Sequence, residues 1–157
     1  MTIEEALYEL GQDWLPDDLQ VVICKTIIRL PLDVQDFALR RCTYISYDNQ
    51  THGQCFPAST FTHLTRGGRT MRNHWVIMLH GSVAKRKNGQ FTVAHEIAHA
   101  CLKHPILCAD LLGEEKADLL VESWGFKVPA YRGKVHAEHR SFMESPAAIV
   151  TEGGAAK

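Results

Sequence analysis

The sequence predicts an α+β fold in which helices pack on one face of a small mixed or antiparallel sheet. Hydrophobic residues make up 45% of the 157 residues and charged residues 22%, which is typical of ordinary globular domains and excludes disordered or coiled-coil classes. Helical periodicity recurs in residues 17–30, 91–104 and 114–124, and strand-like runs occupy residues 43–47 and 75–79. Helices and strands therefore alternate along one chain of single-domain size.

The first half of the chain contains two helical patterns followed by a strand pattern. Apolar residues recur at steps of three and four over residues 17–30, and Pro31 ends that pattern. Asp33 suits the N-cap of a second helix that extends to Arg41. The β-branched and aromatic residues at 43–47 then predict a strand.

The middle of the chain is predicted to be mostly a solvated connection. Residues 50–72 contain Gly and Pro breaks, although part of the region around Cys55 is expected to contribute a strand. The apolar run at residues 74–80 has strand length, and the polar residues 85–89 predict a turn. These strands form the predicted sheet.

The second half of the chain is predicted to hold the two central helices. The helix at residues 91–104 is apolar on nearly every side and is therefore expected to be buried, with Pro105 as its stop. Gly125 suits the end of the helix at 114–124. Periodicity is lost after Tyr131, so we predict one domain at residues 1–140 and a flexible C-terminal tail at 141–157.

A metal-binding pattern lies on the predicted buried helix. His95, Glu96 and His99 form an H-E-x-x-H motif. Residues four apart share a helix face, so both imidazoles can reach one ion at about 2.0–2.1 Å, while Glu96 lies roughly 100° round the helix and can contact a metal-bound water. The motif therefore predicts a hydrolytic zinc site with His95 and His99 as ligands.

A catalytic zinc needs a third protein ligand, for which the sequence offers two candidates. His104 lies nine residues after His95, whereas the extended metzincin pattern requires ten and a glycine that this chain lacks. We expect His104 instead to be a C-terminal helix residue that interacts with the helix dipole. Glu114 is the better candidate, because Asp118 lies four residues later on the same helix face and its carboxylate could accept the non-ligating N–H of a ligand histidine.

The paired motifs resemble those of a known family. His95-Glu96-x-x-His99 followed by Glu114-x-x-Ala117-Asp118 is similar to the gluzincin arrangement of small metallopeptidases of the ImmA/IrrE type, over residues 75–129. The resemblance implies a minigluzincin-like fold with the zinc site between two helices. It implies that His95, His99 and Glu114 are the zinc ligands, that Glu96 is the general base and acid, and that Asp118 steadies a ligand histidine.

The resemblance also implies an activity. We expect a zinc metalloendopeptidase that hydrolyses peptide bonds of a protein or peptide substrate, with a regulatory protein as the expected substrate or partner. Residues 75–79 would be the strand lining the cleft, where an extended substrate could add backbone hydrogen bonds. Tyr131 or His136 could fold back to donate to an oxyanion. The alternative is a zinc-stabilised, non-catalytic regulatory or interaction module, which the intact Glu96 disfavours because a structural site needs no general base.

Charge and cysteine usage restrict the expected partners and compartment. The formal net charge is -1, so a nucleic-acid partner is disfavoured despite a local cluster of Arg66, Arg69 and Arg72. No apolar run is long enough to cross a bilayer, and the five cysteines lack a C-x-x-C pair. We therefore predict no membrane partner, free thiols and a cytoplasmic location. Cys55 is expected to be a free cysteine and not an inhibitory zinc ligand.

Overall fold

The computed structural model describes residues 1–48, 52–58, 74–104 and 111–143 of the chain. Within these residues the elements follow the order α1 (Ile3–Leu10), α2 (Asp17–Ile27), α3 (Leu32–Arg40), β1 (Cys42–Tyr47), β2 (Gly53–Pro57), β3 (Trp75–His80), a 3₁₀ helix (Gly81–Lys85), α4 (Gly89–Cys101), α5 (Leu111–Ser123) and α6 (Ala130–Met143). None of the helices in the described ranges has the length and apolarity that crossing a membrane requires.

The three strands form a small mixed sheet in the order β1-β3-β2. Strand β1 runs parallel to β3, with Tyr44 opposite Ile77, and β2 runs antiparallel to β3, with Cys55 opposite the same Ile77. This arrangement confirms the predicted α+β class and the mixed character of the sheet. Strand β3 is central, which agrees with the near-complete burial of the consecutive residues Val76 and Ile77 on its two faces.

Helix α4 lies at the centre of the core. Ten of its thirteen residues are buried, and it packs against α2, β2, β3 and α5. Three of the apolar residues of α2 that the periodicity predicts, Leu19, Ile23 and Ile27, are fully buried. The prediction of a buried α4 is confirmed, and this burial on all sides accounts for its lack of a polar face.

Several predicted element boundaries are wrong in detail. Helix α3 begins at Leu32 with Pro31 as its N-cap, so Asp33 lies in the first turn instead of capping the helix. Proline can hold this place because its fixed φ suits the entry to a helix. Helix α4 ends at Cys101, before the predicted stop, because Lys103 adopts a left-handed φ of 54°.

The chain divides into two compact units, Met1–Lys127 and Val128–Lys157. In the second unit residues 130–143 form α6, which corrects the predicted loss of helical structure after Tyr131. The domain at residues 1–140 stays a prediction, as does the oxyanion role of Tyr131 or His136, both of which lie on α6. The cluster of Arg66, Arg69 and Arg72 and most of the predicted tail, residues 144–157, lie outside the described residues.

Candidate metal centre

Helix α4 brings the two motif histidines together in the interior of the first unit. The i,i+4 spacing places Nε2 of His95 2.9 Å from Nε2 of His99, with the ring planes 81° apart. His95 is 5% exposed and His99 8%, so both rings are largely removed from solvent. The predicted meeting of the two imidazoles at one point is therefore present.

Helix α5 adds a carboxylate to the same point. Oε2 of Glu114 lies 3.2 Å from Nε2 of His95, and Oε1 lies 3.1 Å from Nε2 of His99. Ala117 and Val121 lie on the same side of α5 and are fully buried, and α5 packs against α4. Their burial fixes the rotation of α5 that directs Glu114 toward the histidines.

The chemistry of these donor atoms fits a metal ion. A proton on Nδ1 of each ring leaves both Nε2 atoms and the Glu114 carboxylate as acceptors facing one another, an arrangement that a cation between them stabilises. Four-coordinate zinc with bonds of about 2.0–2.1 Å separates its ligand atoms by roughly 3.3 Å, close to the spacing found here. His95, His99 and Glu114 therefore form a group that could hold a metal ion.

Asp118 lies behind one of the candidate ligands. Its Oδ1 is 2.8 Å from Nδ1 of His95, on the opposite side of the ring from Glu114, and the residue is only 3% exposed. A carboxylate at this distance favours a proton on Nδ1 and leaves Nε2 available to a metal. Asp118 therefore lies next to His95 and away from bulk solvent, and its role in steadying a ligand histidine stays a prediction.

Glu96 lies on α4 between the two histidines and is directed toward the sheet. It is 7% exposed and closely approaches Gly53 of β2. A Cβ atom added at Gly53 would lie 2.6 Å from Oε1 of Glu96 and 2.9 Å from its Cδ. The carboxylate therefore lies directly against the backbone of β2, a contact that the sequence analysis did not predict.

His104 contacts the second motif histidine and lies outside the helix in which the sequence predicts it, while its interaction with the helix dipole stays a prediction. The residue lies beyond the end of α4, and its Nδ1 forms a 2.8 Å hydrogen bond with Nδ1 of His99. This contact is on the side of the ring away from Glu114, which contacts Nε2. His104 is accordingly not part of the group formed by His95, His99 and Glu114.

The thiol of Cys55 lies near Glu96 and is not part of the group formed by His95, His99 and Glu114. Cys55 is a free, half-buried cysteine on β2, and burial followed by the charge of Glu96 raises the pKa of its thiol well above the usual range. Burial also raises the pKa of Cys24 and of Cys101 to about 11. These three thiols are therefore protonated at neutral pH. The prediction that Cys55 is a free cysteine agrees with its half-buried, protonated thiol.

The predicted cleft strand is wrong in one respect. Strand β3 has a neighbour on both sides, so its backbone groups are already used by β1 and β2 and cannot pair with an added peptide. Strand β2 is at the edge of the described sheet and is the strand that contacts Glu96. The sequence pattern identified the strands but not their lateral order.

Comparison of the chain with protein-family models, with curated proteins and with solved structures found no match. The resemblance to ImmA/IrrE-type metallopeptidases accordingly stays a prediction that depends on the two motifs. The geometry of His95, His99, Glu114 and Asp118 is independent of that resemblance.

Proposed function

We propose that the protein is a zinc-dependent metalloendopeptidase that hydrolyses peptide bonds of a protein substrate, with the gluzincin arrangement of ligands. The observation that supports the proposal most directly is the convergence of His95, His99 and Glu114, together with a buried Glu96 that is not a member of this group. A structural zinc site would need no such carboxylate. The regulatory nature of the substrate rests on the family resemblance alone.

In the proposed reaction, metal binding and proton transfer are assigned to different residues. His95, His99 and Glu114 would hold the ion, which when bound supplies a Lewis acid for the scissile carbonyl and lowers the pKa of water to about 7. Glu96 accepts the proton of the attacking water and then donates it to the leaving amine. The burial of Glu96 strengthens its electrostatic interaction with groups at the site.

The edge of β2 supports an extended peptide as the substrate. His80 donates its backbone N–H to the carbonyl of His52, and Ala58 donates to that of His74, so even-numbered residues of this segment pair with β3. The backbone groups of Gly53 and Cys55 consequently point away from β3, along the outer edge. A peptide paired with Gly53 would pass beside the carboxylate of Glu96.

The metal centre is tested by metal analysis of the purified protein. We expect one zinc per wild-type chain and a sharp loss of zinc in Glu114→Ala, because removal of one of three ligands leaves an incomplete site. Glu122→Ala is the matched control, since Glu122 is an exposed residue of the same helix. Stoichiometric zinc in Glu114→Ala would contradict the ligand assignment.

The activity is tested with Glu96→Gln at equal zinc loading. The substitution preserves shape but removes the proton acceptor, so we expect zinc content close to wild type and a loss of at least roughly 10²–10⁴-fold in cleavage of a proteome-derived peptide mixture. Equal cleavage by both proteins would assign the activity to a contaminant or another site. Zinc binding without cleavage by wild type would favour the non-catalytic module.

A further inference from the structure

The end of α4 has a backbone geometry that returns the chain onto the helix. Lys103 donates its N–H to the carbonyl of Ala100 at 3.2 Å, and His104 donates to the carbonyl of His99 at 3.1 Å. Together with the left-handed φ of Lys103, these two bonds form a Schellman motif. The motif fixes His104 over the last turn of α4, next to the second motif histidine.

Lys103, the left-handed residue of this turn, is an unusual residue type for that conformation. The left-handed position of a Schellman motif is usually glycine, because a Cβ atom is unfavourable there. Lys103 is the one non-glycine residue with positive φ in the described part of the chain. Packing and hydrogen bonds around the turn must therefore compensate for this strain, and strained residues of this kind cluster at functional sites.

Because of this turn, both ring nitrogens of His99 contact another side chain. Its Nε2 faces His95 and Glu114, and its Nδ1 forms the 2.8 Å hydrogen bond with Nδ1 of His104. A histidine that binds metal through Nε2 carries its proton on Nδ1 and needs an acceptor for it. Nδ1 of His104 is that acceptor when the proton of His104 is on Nε2.

We propose that His104 is a positioning residue for the metal centre, which holds His99 in the tautomer and ring orientation that direct Nε2 at the ion. His104 contacts Nδ1 of His99 in the same way that Asp118 contacts Nδ1 of His95. This inference rests on the proposed metal centre and adds a residue to it. His104 acts through His99 and contributes no ligand atom.

Two substitutions separate this role from a general structural one. His104→Asn keeps an amide oxygen near the position of Nδ1, whereas His104→Leu keeps comparable volume and has no acceptor. We expect zinc affinity, measured by competition with a chromophoric chelator, to fall roughly 10–100-fold in His104→Leu and to be largely retained in His104→Asn. The metal-free proteins should unfold at closely similar temperatures, and the cobalt-substituted His104→Leu protein should show an altered visible absorption spectrum.

The outcomes distinguish this inference from the metal centre itself. Wild-type zinc affinity in His104→Leu overturns the positioning role and leaves the metal centre intact. An equal loss of affinity in the Asn and Leu variants overturns the role of an acceptor atom at this position. Absence of zinc binding by the wild-type protein overturns the proposed centre and the inference together.

Discussion

The contact between Gly53 and Glu96 gives a test of the proposed general base that leaves the ligands untouched. In Gly53→Ala the new Cβ would lie 2.6 Å from Oε1 and 2.8 Å from Cγ of Glu96. Ordinary contact begins at 3.4 Å, so the carboxylate oxygen must move by about 3.4 − 2.6 = 0.8 Å. Catalytic groups tolerate displacements of only about 0.5 Å, and a 1 Å misplacement can cost about 10²-fold in rate.

We therefore expect Gly53→Ala to lower peptide cleavage by roughly 10–100-fold at equal zinc loading. The free energy of unfolding should fall by no more than about 1–3 kcal/mol, because the buried Glu96 side chain must shift from Cγ to its carboxylate to admit the new Cβ. Zinc affinity should stay at the wild-type value, since no ligand atom moves directly.

The assay measures new peptide termini by mass spectrometry, together with thermal unfolding and zinc content of the same preparations. Gly81→Ala is the matched control, because a Cβ at Gly81 meets no atom within 4 Å. Full activity of Gly53→Ala at full zinc loading would refute the assignment of Glu96 as the base. A loss of activity that follows a loss of zinc would refute the reasoning about its position.

Three further predictions concern a ligand partner, the core and pH. Asp118→Asn should keep the fold and weaken zinc binding roughly 10–100-fold, because the amide no longer stabilises the ring proton of His95; unchanged affinity would contradict this. Gly89→Ala should lower the free energy of unfolding by about 1–3 kcal/mol in a denaturant titration, because the new Cβ collides with the backbone carbonyl of Val83, which cannot rotate away. Burial, followed by a neighbouring arginine, lowers the pKa of His74, so the unfolded chain binds more protons below about pH 6.5. The contribution of neutral His74 to the free energy of unfolding is present above that pH and is lost as the pH falls further. The melting temperature of His74→Gln should therefore fall less than that of wild type between about pH 7 and pH 5. An equal fall in the two proteins would contradict this.

The main features of the candidate site were predictable because they are local. His95 and His99, and likewise Glu114 and Asp118, are four residues apart on helices, so the helix geometry alone puts each pair on one face. The meeting of the two pairs followed from the zinc ligand requirement and from the family resemblance, and not from periodicity. The structure brings them within about 3 Å of one another.

The features that sequence reasoning missed depend on tertiary placement. Gly53 lies 43 residues before Glu96, and nothing in a single strand pattern indicates which helix it will touch. The turn that directs His104 depends on Lys103, and lysine gives no signal for a left-handed residue. A signal for the order of the strands was present, since an apolar run without alternation is typical of a strand buried on both faces. That run contains Val76 and Ile77 of the central β3.

Among the described residues, one side of α5 is packed against α4 and the other is exposed, which affects how quickly an ion in the proposed centre would exchange. Leu112 and Leu119 on its outer side are 50% and 58% exposed, whereas the two histidines belong to α4, in which ten of thirteen residues are buried. Helices with one open side undergo local opening at lower free energy than central ones. In the proposed centre, departure of the ion would then be limited by transient detachment of α5 and not by rearrangement of α4. A chelator in excess would strip the protein at a rate independent of chelator concentration, with exchange of the α5 backbone amides slowing once the ion is bound.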